Sequence, residues 1–203
     1  MKITNSVFDA EIELRADEDK KTLHGYAAKF DSLSVPLFGF REKIRKGAFA
    51  DSIKKNNIRA LWNHNTDLVL GSTKNGTLQL EEDQRGLKFE LDLPDTQAGR
   101  DAAVSVSRRD VDGMSFSFEA KKQEWDESND KNVIRTLIEV DVKEISPTAF
   151  PAYPTSKVIA RSVKDDYEDY SNEQRNIEEE NQKGINNLEI KKQQLTILEK
   201  EML

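Results

Sequence analysis

The sequence predicts an α+β fold: a mainly antiparallel β-barrel or sandwich with short flanking helices, followed by a charged helical tail. Three observations lead there. The segments FDAEIELRA, TLQLEED and LKFELDL alternate apolar and polar residues with period two, the mark of half-buried strands. The stretch EEDQRG between the last two is charged and closes on Gly86, so it reads as a turn joining two strands. The composition then changes after residue 162. From Val163 to Leu203 stand six basic and eleven acidic residues, so this tail carries −5 of the net charge of −7 and leaves the first 162 residues at −2.

The elements follow in order. FDAEIELRA and LHGYAAKF read as the first strands. KGAFADSIKKNN reads as a short helix, with Phe49 and Ile53 four residues apart on one face. RALW is an apolar strand running into the polar turn around His64, and TLQLEED and LKFELDL follow it as a pair. DTQAGRDAAVSVSRR reads as a second helix, opening with Asp95 or Thr96 as its cap. GMSFSF is a strand after Gly113, and NVIRTLIEVDVKEIS is one long enough to bend or to cross a barrel. PTAFPAYPTS holds three of the five prolines and reads as a rigid, irregular connection. The count is six to eight strands and two or three helices over residues 5 to 162. Two units are expected, 1–162 as the folded domain and 163–203 as an acidic tail, helical or disordered. In that tail Ile185, Leu188, Leu195, Leu198 and Met202 are spaced helically, with Lys192 on the seam.

Composition bounds the function. Only 36% of the 203 residues are apolar and 34% are charged, and the mean hydropathy is −0.75, so part of the chain lies outside any core. The acidic balance, with an isoelectric point near 5.1, argues against binding a phosphate backbone. The absence of cysteine excludes disulfides, thiolate zinc sites and a cysteine nucleophile. No apolar run reaches the ~20 residues of a membrane helix, and the start, MKITNSVFDAEIEL, has no signal-like apolar stretch. A soluble intracellular protein that binds neither nucleic acid nor membrane is expected.

The candidate chemistry is sparse. With two histidines, a multi-histidine metal centre is not expected, and no cofactor is implied. His24 lies inside a strand and reads as structural. His64 sits where the RALW strand enters a turn, a position that commonly holds a catalytic side chain. Asp67 beside it adds a second ligand-type residue, but two ligands do not make a metal site. Ser115 and Ser117 share one face of the GMSFSF strand, and their context is not the strand–turn–helix elbow of α/β-hydrolases. Glu139, Asp141 and Glu144 on the long strand are available to orient a histidine. If that strand is regular, Glu139 and Asp141 share one face and Glu144 takes the other. The residues alone therefore yield a β-rich domain with a candidate Ser–His–carboxylate set.

The ordered series GYAAKFDS, FREKIRKGAFADSI, ALWNHNTDLVLGSTKNGTLQLEEDQRGLKFELDLPDT, DVDGMSFSF and EVDVKEISPTAFPAYPTSKVIAR resembles the tailed-phage prohead protease family, from about Leu23 to Arg161. That family is distantly similar in fold to the herpesvirus assemblins, which implies an assemblin-like barrel. The resemblance implies a serine endopeptidase that cleaves scaffold and capsid proteins, and in some cases itself, inside the immature head in the host cytoplasm. Its partners would be the major capsid protein, with its scaffold region, and further copies of the chain as a homodimer or larger assembly. It puts the nucleophile on Ser115 of the GMSF motif, the base on His64 of the WNH motif and the third member on Glu144 of the EIS motif. Ser117 is the alternative nucleophile and Asp141 the rival carboxylate. Arg108 and Arg109, or a turn at Ser146, are the candidate sources of oxyanion donors. The pattern departs from the family at Arg109, where members often carry Gly. Two other readings stay open: an inactive assembly factor on a degenerate protease domain, and a generic β-barrel hydrolase of small esters.

Overall fold

A computed structural model describes residues 4–6, 10–16, 21–34, 36–37, 39–128, 133–149, 168–180 and 182–185. The elements run β1 (Thr4–Ser6), β2 (Glu11–Ala16), β3 (Lys21–Lys29), β4 (Phe40–Ile44), α1 (Ala50–Lys55), β5 (Arg59–Trp62), β6 (Asn65–Ser72), β7 (Leu78–Glu82), β8 (Gly86–Asp92), α2 (Gln97–Ser107), β9 (Gly113–Asp126) and β10 (Val133–Thr148). Every strand and both helices named from the sequence are present. The helix cap resolves to Thr96, whose hydroxyl accepts the Gly99 N–H at 3.2 Å, while Asp95 pairs with Arg100 at 2.6 Å. Of the proline-rich connection, Pro147 and Thr148 complete β10, and residues 150–156 lie outside the described set.

The strands form two open sheets rather than the expected closed barrel. One has the order β1-β9-β10-β5-β6 with β4 also on β10, and the other the order β2-β3-β8-β7. The reason lies in β10. Its 16 residues pair antiparallel with β9 along one edge, from Ile134↔Asp126 to Thr148↔Gly113. The other edge is divided between two parallel neighbours, β4 at Val133–Leu137 and β5 at Glu144–Ile145. The first sheet therefore ends on β6, which pairs with none of the second sheet's strands, so closure is not reached. The sheets bury their apolar faces instead. One continuous core joins Leu23, Phe89 and Leu91 to Phe116, Phe118, Val140, Val142 and Ile145, with Phe49 before α1 and Ala102 and Val106 of α2 added to it. The Phe49 and Phe116 rings meet edge to face at 5.6 Å.

β4 escaped the sequence reading because its inward face carries a charge. Phe40, Glu42 and Ile44 are all buried. The Glu42 carboxylate accepts from Arg135 on β10 at 2.8 Å, with both side chains at most 1% exposed. Arg135 also donates to Gln123 at 2.8 Å and lies over the Trp125 ring. In the tail, residues 168–180 and 182–185 are helical and belong to a unit separate from residues 1–162. Ile177 and Ile185 are exposed there. The expectation for Leu188, Lys192, Leu195, Leu198 and Met202 falls outside the described residues.

Breaking the buried pair from one side strands the other charge, so Glu42→Ala or Arg135→Ala alone should cost about 3–5 kcal/mol. In denaturant melts both single variants should unfold far earlier than wild type. A Glu42→Leu/Arg135→Met double variant should recover much of the loss.

Candidate active site

The site is built where the β5–β6 hairpin tip meets the end of β10. Trp62 and Asn65 face each other across a two-residue loop, Asn63–His64, whose φ angles are 51° and 60°. Left-handed backbone at both central residues matches the right-handed strand twist of a tight hairpin. Asn tolerates it; His tolerates it less, at roughly 1–2 kcal/mol. Tethers to β10 hold the tip in place. The Asn63 N–H donates to the Pro147 carbonyl at 3.1 Å, and the Thr148 hydroxyl donates to Asn63 Oδ1 at 2.9 Å. The His64 N–H donates to Ser146 Oγ, also at 3.1 Å.

The paired strands β9 and β10 supply the ledge beneath. Val142 is opposite Phe118, but the register then shifts so that Glu144 is opposite Ser117, Ile145 opposite Phe116 and Ser146 opposite Ser115. Lys143 is the extra residue of a β-bulge. A regular strand would place Glu144 on the core face with Val142. The bulge turns it over, so Glu144 joins Ser115, Ser117 and Ser146 on the face away from Phe116 and Phe118. This corrects the alternation expected from the sequence, because Glu144 now shares a face with Asp141, which stands opposite Glu119. All four polar residues of the ledge are buried: Ser115, Ser117, Glu144 and Ser146 are 2%, 7%, 6% and 0% exposed.

The Glu144 carboxylate is the meeting point. Its Oε1 is 2.6 Å from His64 Nδ1 and accepts the Ser117 hydroxyl, and its Oε2 accepts the Ser146 hydroxyl at 2.6 Å. A carboxylate only accepts, so Nδ1 carries a proton, and in the neutral imidazole Nε2 is then the nitrogen with the lone pair. The structure thus brings together His64, Glu144 and Ser117, and sets Ser115 one cross-strand pair further along the same face. A half-buried, carboxylate-oriented imidazole beside serine hydroxyls is equipped for proton transfer from an alcohol.

The other candidates lie elsewhere. Asp141 is bonded to Asn56 and, at 2.6 Å, to Lys143, with Lys121 at 3.8 Å. Burial pushes its carboxyl up, but the hydrogen bonds from Lys143 and Asn56 outweigh this and hold it below the ordinary value. Glu139 is exposed, and His24 stands in β3 between Glu13 and Glu90. Arg108 ends α2 and pairs with Asp110 at 2.7 Å. Arg109 has φ 63°, which explains why Gly suits that position. Ser146 lies in a strand, not a turn. Among the described residues no cluster of three or more His, Cys, Asp or Glu could hold a metal, and no helix is long and apolar enough to cross a membrane. The sequence reading missed the double role of Ser146 and the Asn63–Thr148 tether. Nothing local to those residues signals either.

A two-sheet domain with serine, histidine and carboxylate converging on one ledge has the parts of a serine hydrolase. The caudovirus prohead serine protease family matches residues 10–172, and the chain belongs to that family. It is therefore a serine protease of phage capsid maturation, associated with capsid or scaffold proteins. No curated protein matches the chain. No solved structure matches it either.

The Asp141 surroundings yield a test by pH. A carboxyl with a lowered folded-state value contributes stability that is present above its ordinary value, 3.8, and is lost as pH falls below it. Wild type should therefore be more stable than Asp141→Asn at pH 6, with the gap closing as pH falls from about 4 toward 2. Proteolysis at neutral pH should survive this substitution, whereas Glu144→Gln should lose it.

Proposed function

We propose that this chain is the endopeptidase that trims the capsid protein or its scaffold region inside the immature head, with Ser115 as nucleophile, His64 as general base and Glu144 as the carboxylate that orients it. The observation that carries this reading is the His64 Nδ1–Glu144 Oε1 contact of 2.6 Å on the ledge that also bears Ser115. As in other triads, the order in the chain is immaterial and the geometry decides. His64 Nε2 takes the hydroxyl proton as Ser115 Oγ attacks the scissile carbonyl carbon, giving a tetrahedral oxyanion. The imidazolium, stabilised by Glu144, returns that proton to the departing amine. Water, activated by the same nitrogen, then hydrolyses the acyl-enzyme.

Ser115 is preferred over its neighbours because of where their hydroxyls point. Ser117 and Ser146 both donate to Glu144, on the Nδ1 side of the imidazole. A nucleophile has to meet Nε2, on the other side of the ring. The GMSF motif position falls on Ser115 as well.

Coexpression with the phage's own major capsid protein, read by intact mass, tests the assignment. Wild type should cut the capsid protein at a defined bond, and Ser115→Ala should lower the rate by 10³-fold or more. Glu144→Gln should cost on the order of 10³–10⁴-fold through the wrong imidazole tautomer, and Ser117→Ala about tenfold. If Ser117→Ala is dead and Ser115→Ala active, the two serines exchange roles. If wild type leaves the capsid protein whole while particles assemble, the chain acts as a non-catalytic assembly factor.

A further inference from the structure

We infer that Ser146 is a positioning residue that locks the base and its carboxylate into one geometry; this rests on the roles proposed for His64, Glu144 and Ser115. Its Oγ donates to Glu144 Oε2 at 2.6 Å and accepts the His64 backbone N–H at 3.1 Å. A hydroxyl has one proton to give and two lone pairs, so one rotamer satisfies both bonds. The other bonds around the site divide this work. Asn63 and Thr148 fix the hairpin tip without reaching Glu144, and Ser117 reaches Glu144 without touching the hairpin. Ser146 joins the two halves through a single atom.

The left-handed backbone of His64 makes that link consequential. At φ 60° a residue with a β-carbon is strained, and release of its N–H lets the turn relax and carry the ring with it. Ser146 is fully buried, so no bulk water stands ready to replace the hydroxyl. A displacement near 1 Å in a catalytic group is enough for a loss of about 100-fold.

Phosphonylation by a fluorophosphonate probe tests this without a known cleavage site, because the rate at which Ser115 Oγ displaces fluoride reports nucleophile activation directly. Peptide mapping should locate the label on wild-type Ser115, and Ser146→Ala should be labelled there about 30- to 100-fold more slowly. Thr148→Val removes a buried hydroxyl that tethers the same tip but does not touch Glu144, and should slow labelling by no more than about fivefold. The low-field proton resonance of His64 Nδ1–H should shift or broaden in Ser146→Ala and persist in Thr148→Val. Wild-type labelling speed in Ser146→Ala overturns the inference alone. So does a slowing that follows the loss of thermal stability equally in both variants, with the resonance unmoved. Failure of the wild type to label at Ser115 overturns the parent reading.

Discussion

A carboxylate withdrawn from water has to be surrounded by donors, and the Glu144 side chain is 8% exposed. Leaving it unpaired would cost several kcal/mol. Much of the architecture near the end of β10 answers that demand. The bulge at Lys143 turns Glu144 toward two serines on the ledge, and the β5–β6 hairpin brings the His64 ring onto its Oε1. Remove the bulge, and a charge would face Phe118 and Val142 in the core. The same irregularity that makes the strand imperfect makes the site available.

β10 handles a second buried charge at its opposite end, and the contrast is instructive. Arg135 meets Glu42 of β4 in a pair that is almost fully enclosed, with Gln123 and the Trp125 ring completing the guanidinium's surroundings. The two charged side chains themselves do not reach the surface. The Glu144 cluster instead pairs with an imidazole whose side chain stays 22% exposed. One pair is enclosed and ties β4 to β10. The other leaves the His64 side chain partly open to solvent. Two parallel neighbours sharing one edge of β10, β4 and then β5, deliver these two partners to the right halves of the strand.

How much was legible follows from whether the signal was local. Period-two alternation and turn residues located β2, β3, β7 and β8 because each depends on its own residues alone. The cap of α2 was narrowed to Asp95 or Thr96 for the same reason, and the structure decides for Thr96. β4 was obscured because Glu42 occupies a core position that only a partner 93 residues away makes tolerable. Sheet closure was misjudged because it depends on which strands share the edge of β10, a matter of pairing across the whole chain. At the site, motif positions pointed to His64, Ser115 and Glu144, and the expected face of Glu144 was wrong because a bulge has no sequence mark. Ser146 looked like punctuation until its two bonds were seen together.

Three serines on one ledge therefore need not be three chances at the same chemistry. Successive ledge positions on β9 and β10 lie on one face, so each added Ser places a hydroxyl at a different point along the ledge. Those beside Glu144 spend their protons on its oxygens, and this holds the carboxylate where the ring requires it. The hydroxyl best suited to attack is the one whose proton can be taken by Nε2, not one already committed to the anion behind Nδ1. A hairpin tip left-handed at both of its residues carries that imidazole, and hydrogen bonds to β10 hold the tip in place. Rigid strands, a bulge and a tethered turn hold the imidazole and its carboxylate in one arrangement.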